Sequence, residues 1–124
     1  MRIYLGSDWK RREELWGYAR DLEALGHTVT SNWLWTELKD EDYRKRWEEQ
    51  ARMDCHDIWT SDICIFFTEQ PGTMSRGGRH WEAGYATALT KRVYVIGPVE
   101  SQFYTLATGY ASDFVELLMA EEFK

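Results

Sequence analysis

Two carboxylates and one polar loop are the residues best suited to chemistry. Glu82 follows a loop rich in glycine and serine and stands in the first turns of a predicted helix. The free N–H groups of a helix amino terminus carry partial positive charge, which favours an ionised carboxylate and so a nucleophile. Acidic residues gather in first turns for the same reason, so placement alone does not assign the role. Asp54 lies seven residues after Trp47, three after Ala51 and four before Ile58, which puts it on the inward face of its helix. A carboxylate there costs several kcal/mol unless it meets a partner, lines a cavity, or holds a proton that it can donate. A bond to a backbone N–H, to Arg52 or to Arg79 would explain it equally well.

The loop Gly72-Thr73-Met74-Ser75-Arg76-Gly77-Gly78-Arg79-His80 offers hydroxyls, guanidinium groups and accessible backbone N–H groups, a set able to cradle a phosphate or sugar hydroxyls. It is neither a Walker A sequence nor a GxGxxG turn after a first strand. His27, His56 and His80 lack metal-ligand spacing, and no serine sits in a nucleophile elbow. Asp8, Glu37 and Asp57 read as solvated or capping groups, and Asp62 as the start of a strand.

The elements that must position these groups alternate. Arg2 to Gly6 is a short apolar strand, with Ser7 and Asp8 capping a helix over Trp9 to Leu25. Gly26 stops it, and His27 to Trp35 predicts a second strand. A helix from Asp40 to about Thr60 carries the stripe Tyr43, Trp47, Ala51 and Ile58. Ile63 to Phe67 is a continuous apolar run of the kind buried on both faces in parallel sheets. The loop from Thr68 to Gly78, a helix over Trp81 to Leu89, a strand from Arg92, and an amphipathic helix over Asp113 to Glu122 complete the order. This pattern predicts an α/β three-layer sandwich of the flavodoxin or Rossmann type, with a four- to five-stranded parallel sheet flanked by helices, as a single domain over residues 1–124. The loops after Leu5, Phe67 and Ile96 then share one edge, where such sheets bind ligands.

Composition narrows the partners. Apolar residues make up 44% and charged residues 29% of the 124, as in a globular chain. A net charge of −6 opposes a nucleic-acid polymer. No apolar stretch approaches the roughly 18 residues of a membrane span, and the first residues do not resemble a signal peptide. Two cysteines without ligand spacing support neither a disulfide framework nor a zinc site, so a cytoplasmic setting without metal or cofactor is expected. The seven tryptophans fit core and subunit contacts, though aromatic rings also stack on nucleobases.

Tyr4-Leu5-Gly6, Asp54 through Asp57-Ile58 to Asp62-Ile63, and Gly77-Gly78-Arg79-His80-Trp81-Glu82-Ala83-Gly84-Tyr85-Ala86 followed by Lys91 to Ile96 resemble the nucleoside 2-deoxyribosyltransferase family, which includes the related 2′-deoxynucleoside 5′-phosphate N-hydrolases. The resemblance implies that Glu82 attacks C1′ of a nucleoside or nucleotide, that Asp54 handles the proton of the base, and that Tyr4 lies near the sugar. It implies a substrate site built from Gly6, Ser75, Arg76, Gly77, Gly78 and Arg79, with Ser75 and Arg76 or Arg79 toward a 5′-phosphate. Double displacement would restore the anomeric configuration, the acceptor being another nucleobase or water. The resemblance further implies a small-molecule substrate of nucleotide salvage and a homodimer or larger homo-oligomer, whose interface Trp33, Trp35 and Phe103 would suit. A nucleotide-binding sensor or interaction module without turnover is the alternative on the same fold.

Overall fold

The computed structural model describes residues 1–37, 40–70, 72–73 and 77–124. Five parallel strands, β1 (Arg2–Gly6), β2 (Thr28–Val29), β3 (Ile63–Phe67), β4 (Arg92–Ile96) and β5 (Gly109–Ala111), form one sheet in the order β2-β1-β3-β4-β5. This is the doubly wound order whose direction reverses between β1 and β3, so a crevice opens beyond their carboxyl ends. All five residues of β3 are buried, as its unbroken apolar run demands of a central strand.

Helices cover both faces. Tyr18 of α1 (Arg12–Ala24) stacks on Phe67 and meets Phe114 of α5 (Phe114–Leu118), which places α1 and α5 on one face. On the other, α3 (Trp47–Trp59) packs beside α4 (Gly78–Ala88). In parallel pairing, register partners point to the same side. Tyr4 and Gly6 of β1 therefore share a face with Cys64 and Phe66 of β3, the face that α3 and α4 cover.

Four sequence expectations change. The second strand is only Thr28–Val29, because Ser31 and Trp33 turn aside to bond Leu5, and a 3₁₀ turn follows over Asn32–Trp35. The long helix from Asp40 divides into α2 (Asp40–Lys45) and α3, parted at Arg46, whose φ of −109° and ψ of 16° leave the helical region. Trp47 and Ala51 are exposed, and the inward face of α3 is instead Gln50, Asp54, Asp57 and Ile58 at helical spacing. The last helix shortens to α5, capped by the Asp113 carboxylate accepting from the Glu116 N–H, and ends in a 3₁₀ turn at Glu121–Phe123.

Both thiols, Cys55 and Cys64, are free. Among the described residues no helix is long and apolar enough to cross a membrane.

Gly97 ties the ends of β3 and β4 together. Its φ of +114° is a conformation that favours glycine, and a Cβ there would lie 2.7 Å from Thr68 Oγ1 and 3.1 Å from Thr68 O. Gly97→Ala is expected to cost about 2–4 kcal/mol through strain and overlap together, read as a lower urea midpoint with an unchanged m-value.

Candidate active site

The candidate site lies beside the switch point between β1 and β3. Tyr4, the third residue of β1, is wholly buried and donates its phenolic O–H to Glu82 Oε1 at 2.9 Å. Gly6, two residues on, forms the floor: a Cβ there would lie 2.6 Å from Phe66 Cδ1 and 3.4 Å from Glu82 Oε2. The missing side chain lets the Phe66 ring and the Glu82 carboxyl occupy that space. Glu82 retains some accessible surface, while its carboxyl end is enclosed by Tyr4, Gly6 and Asp54.

Asp54 reaches this carboxyl from α3. The two acids are close enough to interact, and Asp54 Oδ1 is buried without a hydrogen-bond partner. Ionised carboxylates only accept, so two that face each other in a buried place share a proton or repel. Both are pushed up from the ordinary carboxylate range. For Asp54 the causes are burial, then the negative charge of Asp57; for Glu82 they are burial, then the charge of Asp54. The Tyr4 O–H and the Arg79 guanidinium oppose this at Glu82. The Tyr4 phenol, pushed well above its ordinary value by burial and by Glu82, stays protonated and is a fixed donor.

This corrects one expectation. Glu82 is the fifth residue of α4, beyond the first turn, where the field of the helix terminus has faded. Its ionisation is governed by its neighbours and not by the helix end. The inward placement of Asp54 stands, and the group it faces is Glu82; Arg52 pairs instead with Glu48 at 2.8 Å on the surface.

Gly77 opens α4 with a left-handed φ of +87°, and Gly78 is its first residue. Arg79 is almost completely buried: Nε and Nη2 donate to Glu100 Oε1 at 3.0 and 2.5 Å, and Nη1 is buried without a partner. Ser75 and Arg76 lie outside the described residues. Trp33 is buried, its indole N–H bonding Leu5 O at 2.8 Å, whereas Trp35 and Phe103 are exposed.

Sequence reasoning missed three participants. Asp57 is buried and accepts two hydrogen bonds from Asn32, neither solvated nor capping as expected. Glu100 is the buried counter-ion of Arg79. Trp9, beyond the end of β1, packs against Trp33 at 6.1 Å and carries Arg12 over its ring at 4.3 Å. The three-residue interval from Asp54 to Asp57 was the one available signal, since it sets both carboxylates on one helix face.

A carboxyl whose folded pKa is raised costs nothing below the ordinary range, where both states are protonated, and costs increasingly as pH rises through the folded value. Glu82→Gln removes one of the facing acids. It is therefore expected to stabilise the fold by on the order of 2 kcal/mol at pH 8 and to be nearly neutral at pH 4. Urea unfolding at the two pH values checks this, and an equal effect at both would contradict the buried acid pair.

No protein-family model and no curated protein matches the sequence. Solved structures do match in shape. A 2-deoxyribosyltransferase from Bacillus psychrosaccharolyticus superposes with a TM-score of 0.78 at 21% identity, covering 98% of this chain and 93% of that one. Clostridium botulinum CMP N-glycosidase, BcmB, superposes with a TM-score of 0.58 at 20% identity, covering 95% of each chain. The chain thus shares its three-layer α/β fold, along nearly its whole length, with a 2-deoxyribosyltransferase and a CMP N-glycosidase.

Proposed function

We propose that this chain is an enzyme that cleaves the N-glycosidic bond of a nucleoside or deoxynucleoside, or of its 5′-monophosphate, through a covalent glycosyl–Glu82 intermediate. The sugar then passes to another nucleobase or to water. The observation that carries this reading is the Tyr4–Glu82–Asp54 constellation: a nucleophilic carboxylate oriented by a protonated phenol and facing a second carboxyl that can hold its proton.

In the first step Glu82 attacks C1′ as the bond to the base breaks, and the proton held by Asp54 moves to the departing base nitrogen. Tyr4, bonded to one oxygen of Glu82, leaves the other for the sugar carbon. That second oxygen is Oε2, the one over Gly6. In the second step the Asp54 carboxylate takes the proton of the incoming acceptor, which attacks C1′ and expels Glu82. Two displacements at one carbon restore its configuration. The raised affinity of Asp54 for a proton suits a group that must be acid in one step and base in the next. Both fold relatives act on N-glycosides according to their names, which supports the same chemistry here.

The substrate site is proposed at Gly6, Gly77 and Gly78 with Ser75 and Arg76, Arg76 favouring a monophosphate, while Arg79, buried and ion-paired with Glu100, serves as a charge near Glu82. A homodimer is part of this reading, supported by exposed Trp35 and Phe103.

A panel of nucleosides and 5′-monophosphates, with and without a free acceptor base, tests it by chromatography. Base release by the wild type is expected to vanish in Glu82→Ala and to fall about 10²–10⁴-fold in Asp54→Asn. Silence of the wild type across the panel, with unchanged nucleotide binding by Glu82→Gln, would replace catalysis by binding alone.

A further inference from the structure

Asp57 stands one turn beyond Asp54 on α3 and is 3% exposed. Both of its oxygens are engaged by one residue: Oδ2 accepts from the Asn32 backbone N–H at 2.9 Å, and Oδ1 from Asn32 Nδ2 at 3.0 Å. Its carbonyl accepts from Thr30 Oγ1 at 3.0 Å. The segment so gripped also holds β1 between the two site residues of that strand. Ser31 Oγ accepts from the Leu5 N–H at 2.6 Å, and Trp33 Nε1 donates to Leu5 O at 2.8 Å. A buried polar clamp thus joins the helix that carries Asp54 to the strand that carries Tyr4 and Gly6. A carboxylate buried this deeply is a costly way to make a structural tie, since an amide could accept the same bond from the Asn32 N–H.

We propose that Asp57 is a positioning residue for the reaction described above: its clamp on Asn32 sets Asp54 against Glu82, and its negative charge keeps the transferable proton on Asp54. The inference rests on the proposed function for its chemical meaning, while the coupling of the two aspartates can be measured without turnover. Asp54 is faced by Asp57 on its own helix and by Glu82 from α4, with the Tyr4 phenol across Glu82. Asp57 is faced by the Asn32 donors, by His56 on α3 and by Arg2 from β1. Burial raises Asp57 while both Asn32 hydrogen bonds favour its anion, and that anion raises Asp54.

The test is Asp57→Asn, which keeps size and an acceptor for the Asn32 N–H; the Asn32 amide can turn its oxygen toward the new NH₂ group. The Asp54 carboxyl is followed by ¹³C NMR in aspartate-labelled protein, alongside the pH profile of base release. In the variant the Asp54 midpoint is expected to fall by about one pH unit, and the alkaline limb of kcat/KM to fall with it. A lower melting temperature with an unmoved Asp54 midpoint would overturn the proposal, leaving Asp57 a structural tie. So would a moved midpoint with an unmoved limb. Should Asp57→Asn fail to fold, Asp57→Ser serves as a second neutral variant. Absence of base release by the wild type on every substrate would remove the functional reading by itself, and the titration would still decide the link between the aspartates.

Discussion

Two carboxyls held face to face out of water are the constraint on which the rest depends. Unpaired, each would demand several kcal/mol, and together their charges would repel as well. The fold meets this demand with a raised proton affinity of both acids, the Tyr4 hydroxyl on Glu82 and the nearby charge of Arg79. These groups arrive on three elements: Asp54 on α3, Glu82 and Arg79 on α4, Tyr4 on β1. The pair therefore exists only when the α3–α4 layer is docked on the sheet, and local folding of any one segment cannot form it.

The surrounding architecture serves the same end. Phe66 lies over Gly6 because register pairs these two residues on neighbouring strands, and the absent side chain makes room for both ring and carboxyl. Glu100 neutralises Arg79 in a buried ion pair, so the cation stands near Glu82 without being lost to solvent. Asn32, Ser31 and Trp33, drawn out of what would have been a longer β2, give their hydrogen bonds to Asp57 and Leu5 instead. A shorter edge strand thus accompanies a better anchored site. Polar networks of this kind are stabilising only when complete, which is why they fix one arrangement. Among the described residues the buried acceptor of Asp54 and the buried donor of Arg79 are left without partners, and both lie in the candidate site.

Much of this was legible beforehand, and the reasons are particular. The apolar runs at 3–5, 63–67 and 93–96 pointed to buried strands, since short, continuous apolar runs bounded by polar or turn residues suit a strand covered on both faces. Glu82 was singled out from the block around it, and the structure sets it against Tyr4. The inward placement of Asp54 was read correctly from a stripe that was partly wrong: Trp47 and Ala51 face solvent, and Gln50, Asp57 and Ile58 face in. A helix whose inner face is mostly polar defeats hydrophobic periodicity, since the pattern counts apolar side chains and cannot see carboxylates that are paid for by partners on other elements. β5 escaped notice for a related reason, being three residues that pair only with the edge of β4.

By itself the sequence determined the alternation of strands and helices, the parallel sheet and the edge where chemistry should lie, because these follow from periodicities and caps within about 20 residues of chain. Only the tertiary structure decided the electrostatics. Helix position suggested an ionised Glu82, but a carboxyl titrates against its neighbours in space, and Asp54 and Tyr4 are brought there from α3 and β1, Tyr4 from 78 residues away. The same holds for Asp57, whose burial and two bonds from Asn32 depend on α3 packing against the 3₁₀ turn over Asn32–Trp35. Proton affinity is a property of neighbours in space, and the chain order does not contain it.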